Sequence, residues 1–249
     1  MTALLRAELF KTQSTLAGLG LLAALVGLTV LAVVLHALGV AADHVDTASE
    51  QLTIVVGRGE LLGVLFAALG GALSITAEIR HGTIRPTFLV SPRRGRVVAA
   101  KVTASLLVGA MFGLLGTSVA AVTGAVTLPA RGIELALDVP DYLLFVAGGA
   151  AAGALWATVG VGVGAIVRNP VPALVGLCAW LLFVEGLLVG DVAGIEEVGR
   201  FAPGAAAAAV TGQDPGTLLA PAIGLFLLTL YAGVAAAAGA FATVRRDVP

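Results

Sequence analysis

Glu78–Lys101 reads E-I-R-H-G-T-I-R-P-T-F-L-V-S-P-R-R-G-R-V-V-A-A-K, and it is the most heavily basic interruption of an otherwise apolar chain. Arg80, Arg85, Arg93, Arg94, Arg96 and Lys101 fall between two long hydrophobic runs. Gly82, Pro86, Pro92 and Gly95 prevent the stretch from being one uninterrupted helix. It therefore reads as a charged connection between two apolar segments that continue far on either side.

Those segments decide the class. Of 249 residues, 59% are hydrophobic and only 12% charged, about half the charged share of an ordinary soluble domain. Mean hydropathy is +1.04. The long runs lack the polar face that a soluble helix keeps toward water, so the expected fold is an all-α integral membrane protein made of one transmembrane domain. Six spans are expected, at about 16–41, 60–78, 97–128, 142–167, 171–190 and 217–244. Residues 1–15 read as an amphipathic surface helix or as the charged flank of the first span. The first run is too long for a signal-peptide core and no cleavage pattern follows it, so it reads as a retained span. The segment Leu52–Val56 before the second span reads as interfacial or re-entrant, and Asp191–Gly216 as a long polar and glycine-rich loop.

Charge asymmetry gives an expected orientation, because Lys and Arg resist translocation. Alternate connections hold Arg6 and Lys11, then Arg80 to Lys101, then Arg168, then Arg245 and Arg246. The remaining connections are acidic, with Asp43, Asp46, Glu50, Glu134, Asp138, Asp141, Asp191, Glu196, Glu197 and Asp214. Both termini are expected in the cytoplasm. The spans are rich in glycine, with Gly109 and Gly113 four apart and Gly149 and Gly153 likewise, the spacing that lets helices approach closely in lipid.

Few residues are candidates for chemistry. Glu185, in W-L-L-F-V-E-G-L-L, is the acidic residue set deepest in a span. An ionisable group there faces a cavity, a partner or the protein interior, so it stands either as part of a substrate or ion pathway or as a hydrogen-bonded structural group. His36 and His44 with Asp43 and Asp46 match no compact zinc spacing, and no metal site is expected. Cys178 sits in an apolar run as packing. The sequence has no G-x-x-x-x-G-K-[ST], no G-x-S-x-G and no H-E-x-x-H, so no catalytic residues are assigned. Arg93, Arg94 and Arg96 suit anionic lipid headgroups; nucleic acid is not an expected partner.

The segment T-A-E-I-R-H-G-T-I-R-P-T-F-L-V-S-P-R-R-G-R-V-V-A-A-K resembles the loop between spans two and three of bacterial ABC type-2 exporter permeases. The family pattern runs E-x-R-x-G-T, then P-x-R-R or P-x-S-R, then a Lys opening the next span. Glu78, Arg80, Gly82, Thr83, Pro92, Arg93, Arg94 and Lys101 match it. The start R-A-E-L-F-K-T-Q-S-T, the R-N-P at Arg168–Pro170, the W-L-L-F-V-E segment and R-F-A-P-G at Arg200–Gly204 are also similar, so the resemblance extends along the whole chain.

The resemblance implies a six-span permease subunit in the bacterial plasma membrane. It would pair with a second permease copy or paralogue and be driven by separate ABC ATPase subunits that carry the ATP and Mg; this chain itself would bind no cofactor. It further implies that Glu78, Arg80, Gly82, Thr83, Arg85, Pro92, Arg93 and Arg94 form the ATPase-coupling loop, that the N-terminal segment is the connecting helix, and that the second and fifth spans, with Glu185, lie near the translocation path. Glu78 has a competing role, since it can pair with Arg80 or with a neighbouring helix end. Other classes stay open: an ion-coupled transporter or intramembrane enzyme using Glu185, or a non-transporting membrane scaffold.

Overall fold

In hydrocarbon every backbone N–H and C=O needs a partner within the protein, and a helix supplies one from its own chain. The apolar runs accordingly form helices. A computed structural model describes residues 6, 8, 10, 16–41, 44–82, 94–189 and 196–245, with the side chains of 94–98, 188, 189, 196 and 244 outside that description. The described residues are all-α, and six helices among them are long and apolar enough to cross a membrane.

These are α1 (Leu16–Gly39), α2 (Arg58–Arg80), α3 (Arg94–Ala130), α4 (Val139–Val167), α5 (Pro170–Ala179) and, after a short helix α6 (Pro203–Val210), α7 (Pro221–Arg245). α5 continues through a π-helical turn, Trp180–Val184, into Glu185–Val189. Residues Arg6, Glu8 and Phe10 are helical, while the rest of the expected 1–15 helix lies outside the described residues. The last span begins at Pro221 and not near Thr217, because Asp214 to Ala220 forms turns ahead of the proline that opens the helix. α3 is the longest, about 55 Å at 1.5 Å per residue, so it outruns a hydrocarbon core of about 30 Å.

α2 and α4 form the centre. Within their apolar windows 61% and 56% of residues are buried, against 17% in α1 and in α7. Glycine decides where the helices cross. A Cβ on Gly113 would lie 1.9 Å from the Gly149 carbonyl oxygen, and one on Gly109 would lie 2.4 Å from that of Gly153. The two glycine pairs noted in the sequence are therefore the two sides of one crossing, α3 on α4. Gly71 and Gly160 do the same for α2 on α4, against the carbonyls of Ala157 and Ala68. Close approach replaces the hydrophobic drive that lipid does not provide. The outer faces of α1, α5 and α7 expose residues such as Leu31, Phe183 and Phe226.

The connections are built as carefully as the spans. Gln51, wholly buried, donates to the carbonyls of Val45 (3.0 Å) and Glu134 (2.8 Å) and accepts from the Ala136 N–H (3.1 Å). Arg131 donates to the carbonyls of Ala37 and Val40 at the end of α1. Asp138 and Asp141 form a reciprocal capping box at the start of α4. At the other end of the bundle Arg168 adopts a left-handed conformation (φ 60°) to close α4, and Asn169 caps α5. Leu52–Val56, expected to be interfacial or re-entrant, belongs to a π-helical segment, Gln51–Val56, that leads through Gly57 into α2, with Leu52, Val55 and Val56 buried in the protein.

Two segments of Asp191–Gly216 are helical, Glu196–Gly199 and α6, so the expected loop is corrected there. Pro203 occupies the first helical turn, where its missing N–H costs nothing, and the alanines that follow are the best helix formers. Ala205, Ala206, Ala207, Ala209 and Val210 are buried, and α6 packs chiefly on α7 and α4.

Candidate functional site

Among the described residues, two clusters built on buried carboxylates interrupt the apolar interior, one at each end of the bundle. The first lies at the end that carries Arg80, Arg168 and Arg245. Lys101 sits two turns into α3, 1% exposed. Its ammonium donates to Glu8 Oε2 at 2.7 Å and to the Ser74 carbonyl at 3.0 Å, and pairs with Glu78 Oε1 at 2.9 Å. The ammonium thus has two hydrogen-bond acceptors and a second carboxylate within ion-pair distance. One buried lysine joins the last turns of α2, the start of α3 and the N-terminal segment. A cavity of about 20 Å³ adjoins it, lined by Glu8, Gly71, Ser74, Ser105, Val108 and Ala157, room for a single water.

The positions expected to couple to a partner divide here. Glu78 is 8% exposed and turned inward to Lys101. Arg80 and His81 are exposed at the end of α2, and Gly82, at φ +68°, turns the chain away in a conformation that suits glycine. Thr83, Arg85, Pro92 and Arg93 lie outside the described residues, as does the side chain of Arg94, whose backbone opens α3.

No protein-family model matches this chain, and neither does any curated protein sequence.

The second cluster lies at the opposite end. Glu185, 6% exposed, accepts from Trp180 Nε1 and, at 3.1 Å, from the backbone N–H of Ala205 in α6. Residues five apart point in different directions on an α-helix; the wider π turn at Trp180–Val184 brings the indole onto the carboxylate. Glu60, 4% exposed, accepts from Gln213 Nε2 at 3.3 Å, and that amide also donates to Thr211 Oγ1 at 2.8 Å. Glu60 Oε1 has no hydrogen-bond partner among the described residues. Glu60 lies within electrostatic reach of both Glu185 and Arg58.

Glu185 was legible as a buried acid. Glu60, Gln213, Lys101 and Glu8 as buried partners were not. Glu60 reads as the charged flank of its span, and Gln213 sits among loop residues. The available signal was the pair of opposite charges, Glu78 and Lys101, at the facing ends of two consecutive apolar segments. His36, within α1, contacts the Ala32 carbonyl through Nδ1 at 2.8 Å. The threonines in the spans, among them Thr76, Thr117 and Thr243, spend their hydroxyls on carbonyls one turn back. They leave the two carboxylate clusters as the main polar features of the described interior.

Proposed function

We propose that this chain is the membrane-spanning permease subunit of an ATP-driven exporter, with both termini and the Gly82–Arg94 loop in the cytoplasm and hydrolysis of MgATP on a separate ATPase subunit docked against that loop. The carrying observation is the Lys101 cluster. The loop's two flanking helices and the N-terminal segment converge on one ammonium, so a push on the loop moves all three together. Buried ion pairs resist separation because breaking one strands a charge in a low-dielectric interior. Glu78 then acts in coupling through Lys101, while Arg80, exposed beside the loop, is the group offered to the partner. A second copy or a paralogue completes the permease dimer. The positive-inside distribution of Arg80, Arg168 and Arg245 supports this orientation.

The test is Arg80→Glu, or deletion of Gly82–Arg85, in the assembled complex. Either change lowers transport-coupled ATP hydrolysis while membrane insertion stays intact; unchanged hydrolysis refutes the coupling role.

The pair of buried carboxylates, Glu60 and Glu185, favours one second reading, an ion-coupled transporter. It predicts a proton flux into liposomes, followed with an entrapped pH dye, that needs no nucleotide and disappears in Glu60→Gln. A flux equal to that of empty liposomes eliminates it.

A further inference from the structure

We propose that α6 is a displaceable plug in the acidic end of the bundle, held there by a two-point latch made of Glu185 at its N-terminus and Glu60 at its exit. Glu185 is then a positioning residue for this plug, not a group on the cargo's route.

The side chains of α6 are small for a buried helix. Its sequence is P-G-A-A-A-A-A-V, so most positions contribute one methyl group, the least that any side chain with a Cβ offers to dispersion contacts. Its neighbours meet it through glycine: a Cβ on Gly148 would lie 2.4 Å from the Val210 carbonyl oxygen, and one on Gly224 would lie 2.9 Å from Ala209 Cβ. These contacts are close, but they are made by backbone and methyl groups, and apart from Val210 no larger side chain of α6 has to leave a hole in a neighbour when the helix moves.

Both ends of α6 are fastened by polar contacts. Ala202 at its N-cap supplies no side-chain acceptor, and Glu185 reaches across from α5 to take that place. A carboxylate at this position also meets the positive end of the helix dipole. Gly204 makes room for it, since a Cβ there would fall 2.0 Å from Glu185 Oε2. Both oxygens accept, one from Trp180 and one from Ala205. A carboxamide has one acceptor oxygen and would turn an NH₂ toward one of these donors.

At the exit the chain turns through Gly212 at φ +77°. Gln213 then binds Glu60, and the Asp214 N–H donates to Thr53 Oγ1 at 3.1 Å. The plug is therefore fastened to α5 at one end and to the start of α2 at the other. Its release as an opening for cargo rests on the permease reading; the latch itself does not.

The test uses the full chain in lipid nanodiscs, with Cys178→Ala as background and single cysteines placed at Ala207 in α6 or Ala232 in α7, both buried. A hydrophilic maleimide is the probe. Labelling at position 207 is expected to be slow in the background protein and to rise about tenfold or more in Glu185→Gln, the scale set by losing one charge-assisted hydrogen bond. Gly204→Ala, which displaces the same carboxylate from the other side, should act likewise, and Gln213→Leu, which removes the donor to Glu60, should raise the rate as well. Position 232 should stay protected throughout. Equal rates at 207 in the background, Glu185→Gln and Gly204→Ala proteins overturn the latch. Exposure of 232 in parallel with 207 overturns it too, by showing general loosening of the bundle. A failure of Arg80→Glu to affect ATP hydrolysis removes the permease reading and leaves the labelling result standing.

Discussion

Replacing Lys101 with methionine removes the ammonium and keeps most of the side-chain volume. Two carboxylates, with side chains 11% and 10% exposed at Glu8 and Glu78, then face each other without their shared cation. The Ser74 carbonyl loses its donor at the same time. Removing one partner of a buried ion pair typically destabilises by about 3–5 kcal/mol. For a chain of this size each kcal/mol moves the unfolding midpoint by roughly 2–4 °C, so the expected loss is on the order of 10 °C. The triple variant Lys101→Met/Glu8→Gln/Glu78→Gln removes the charge imbalance altogether. It should return to within about 1 kcal/mol of the wild type, because the cost of desolvating the ions nearly cancels their attraction. Thermal unfolding in nanodiscs, followed by circular dichroism, separates the cases. Wild-type stability in Lys101→Met, or a triple variant as unstable as the single one, refutes the view that this lysine is the charge centre of the cluster.

The helix crossings give a contrast within one residue type. Gly113→Ala forces α3 off α4, since its Cβ would meet the Gly149 carbonyl oxygen at 1.9 Å, and should cost about 1–3 kcal/mol in the same unfolding assay. Gly176→Ala, with nothing within 4 Å of the new atom, should instead be neutral or gain about 0.5–1 kcal/mol from helix propensity. Gln51→Leu removes the side-chain partner of the Val45, Glu134 and Ala136 backbone groups, and the buried Val45 carbonyl, left unsatisfied, costs about 1–3 kcal/mol. Amide hydrogen exchange at Ala136 should accelerate while exchange in α5 stays unchanged. Arg131→Ala frees the carbonyls of Ala37 and Val40 and should fray the last turn of α1, read as faster exchange there with little change in midpoint.

The six spans were legible because lipid imposes one solution on a long apolar run, and the runs here are interrupted mainly by charge. The Gly109/Gly113 and Gly149/Gly153 spacings were legible as close-packing motifs. Their mutual partnership was not, since a periodic pattern names a face and leaves its neighbour open. α6 was missed because alanine and glycine among polar neighbours read as loop, although Pro203 and Gly204 followed by five alanines make a helix start, with proline in the first turn and the best helix formers after it.

The candidate groups split the same way. Glu185 stood out as an acid with an apolar run on both sides, W-L-L-F-V before it and G-L-L-V after it. Glu60 and Lys101 lie near enough to span ends to pass for flanking charges, and only the depth of their neighbours buries them. Glu8 is set by a contact spanning 93 residues of sequence, which no local pattern encodes.

The most direct test of the proposed function is ATP hydrolysis by the complex purified through this chain in mild detergent from its native membranes and reconstituted into liposomes, compared between wild type and Arg80→Glu. The account predicts vanadate-sensitive hydrolysis in the wild type and its loss or steep reduction in Arg80→Glu, with equal amounts of the chain in the membrane. Absence of hydrolysis from the wild-type complex, or the same rate in both, contradicts it.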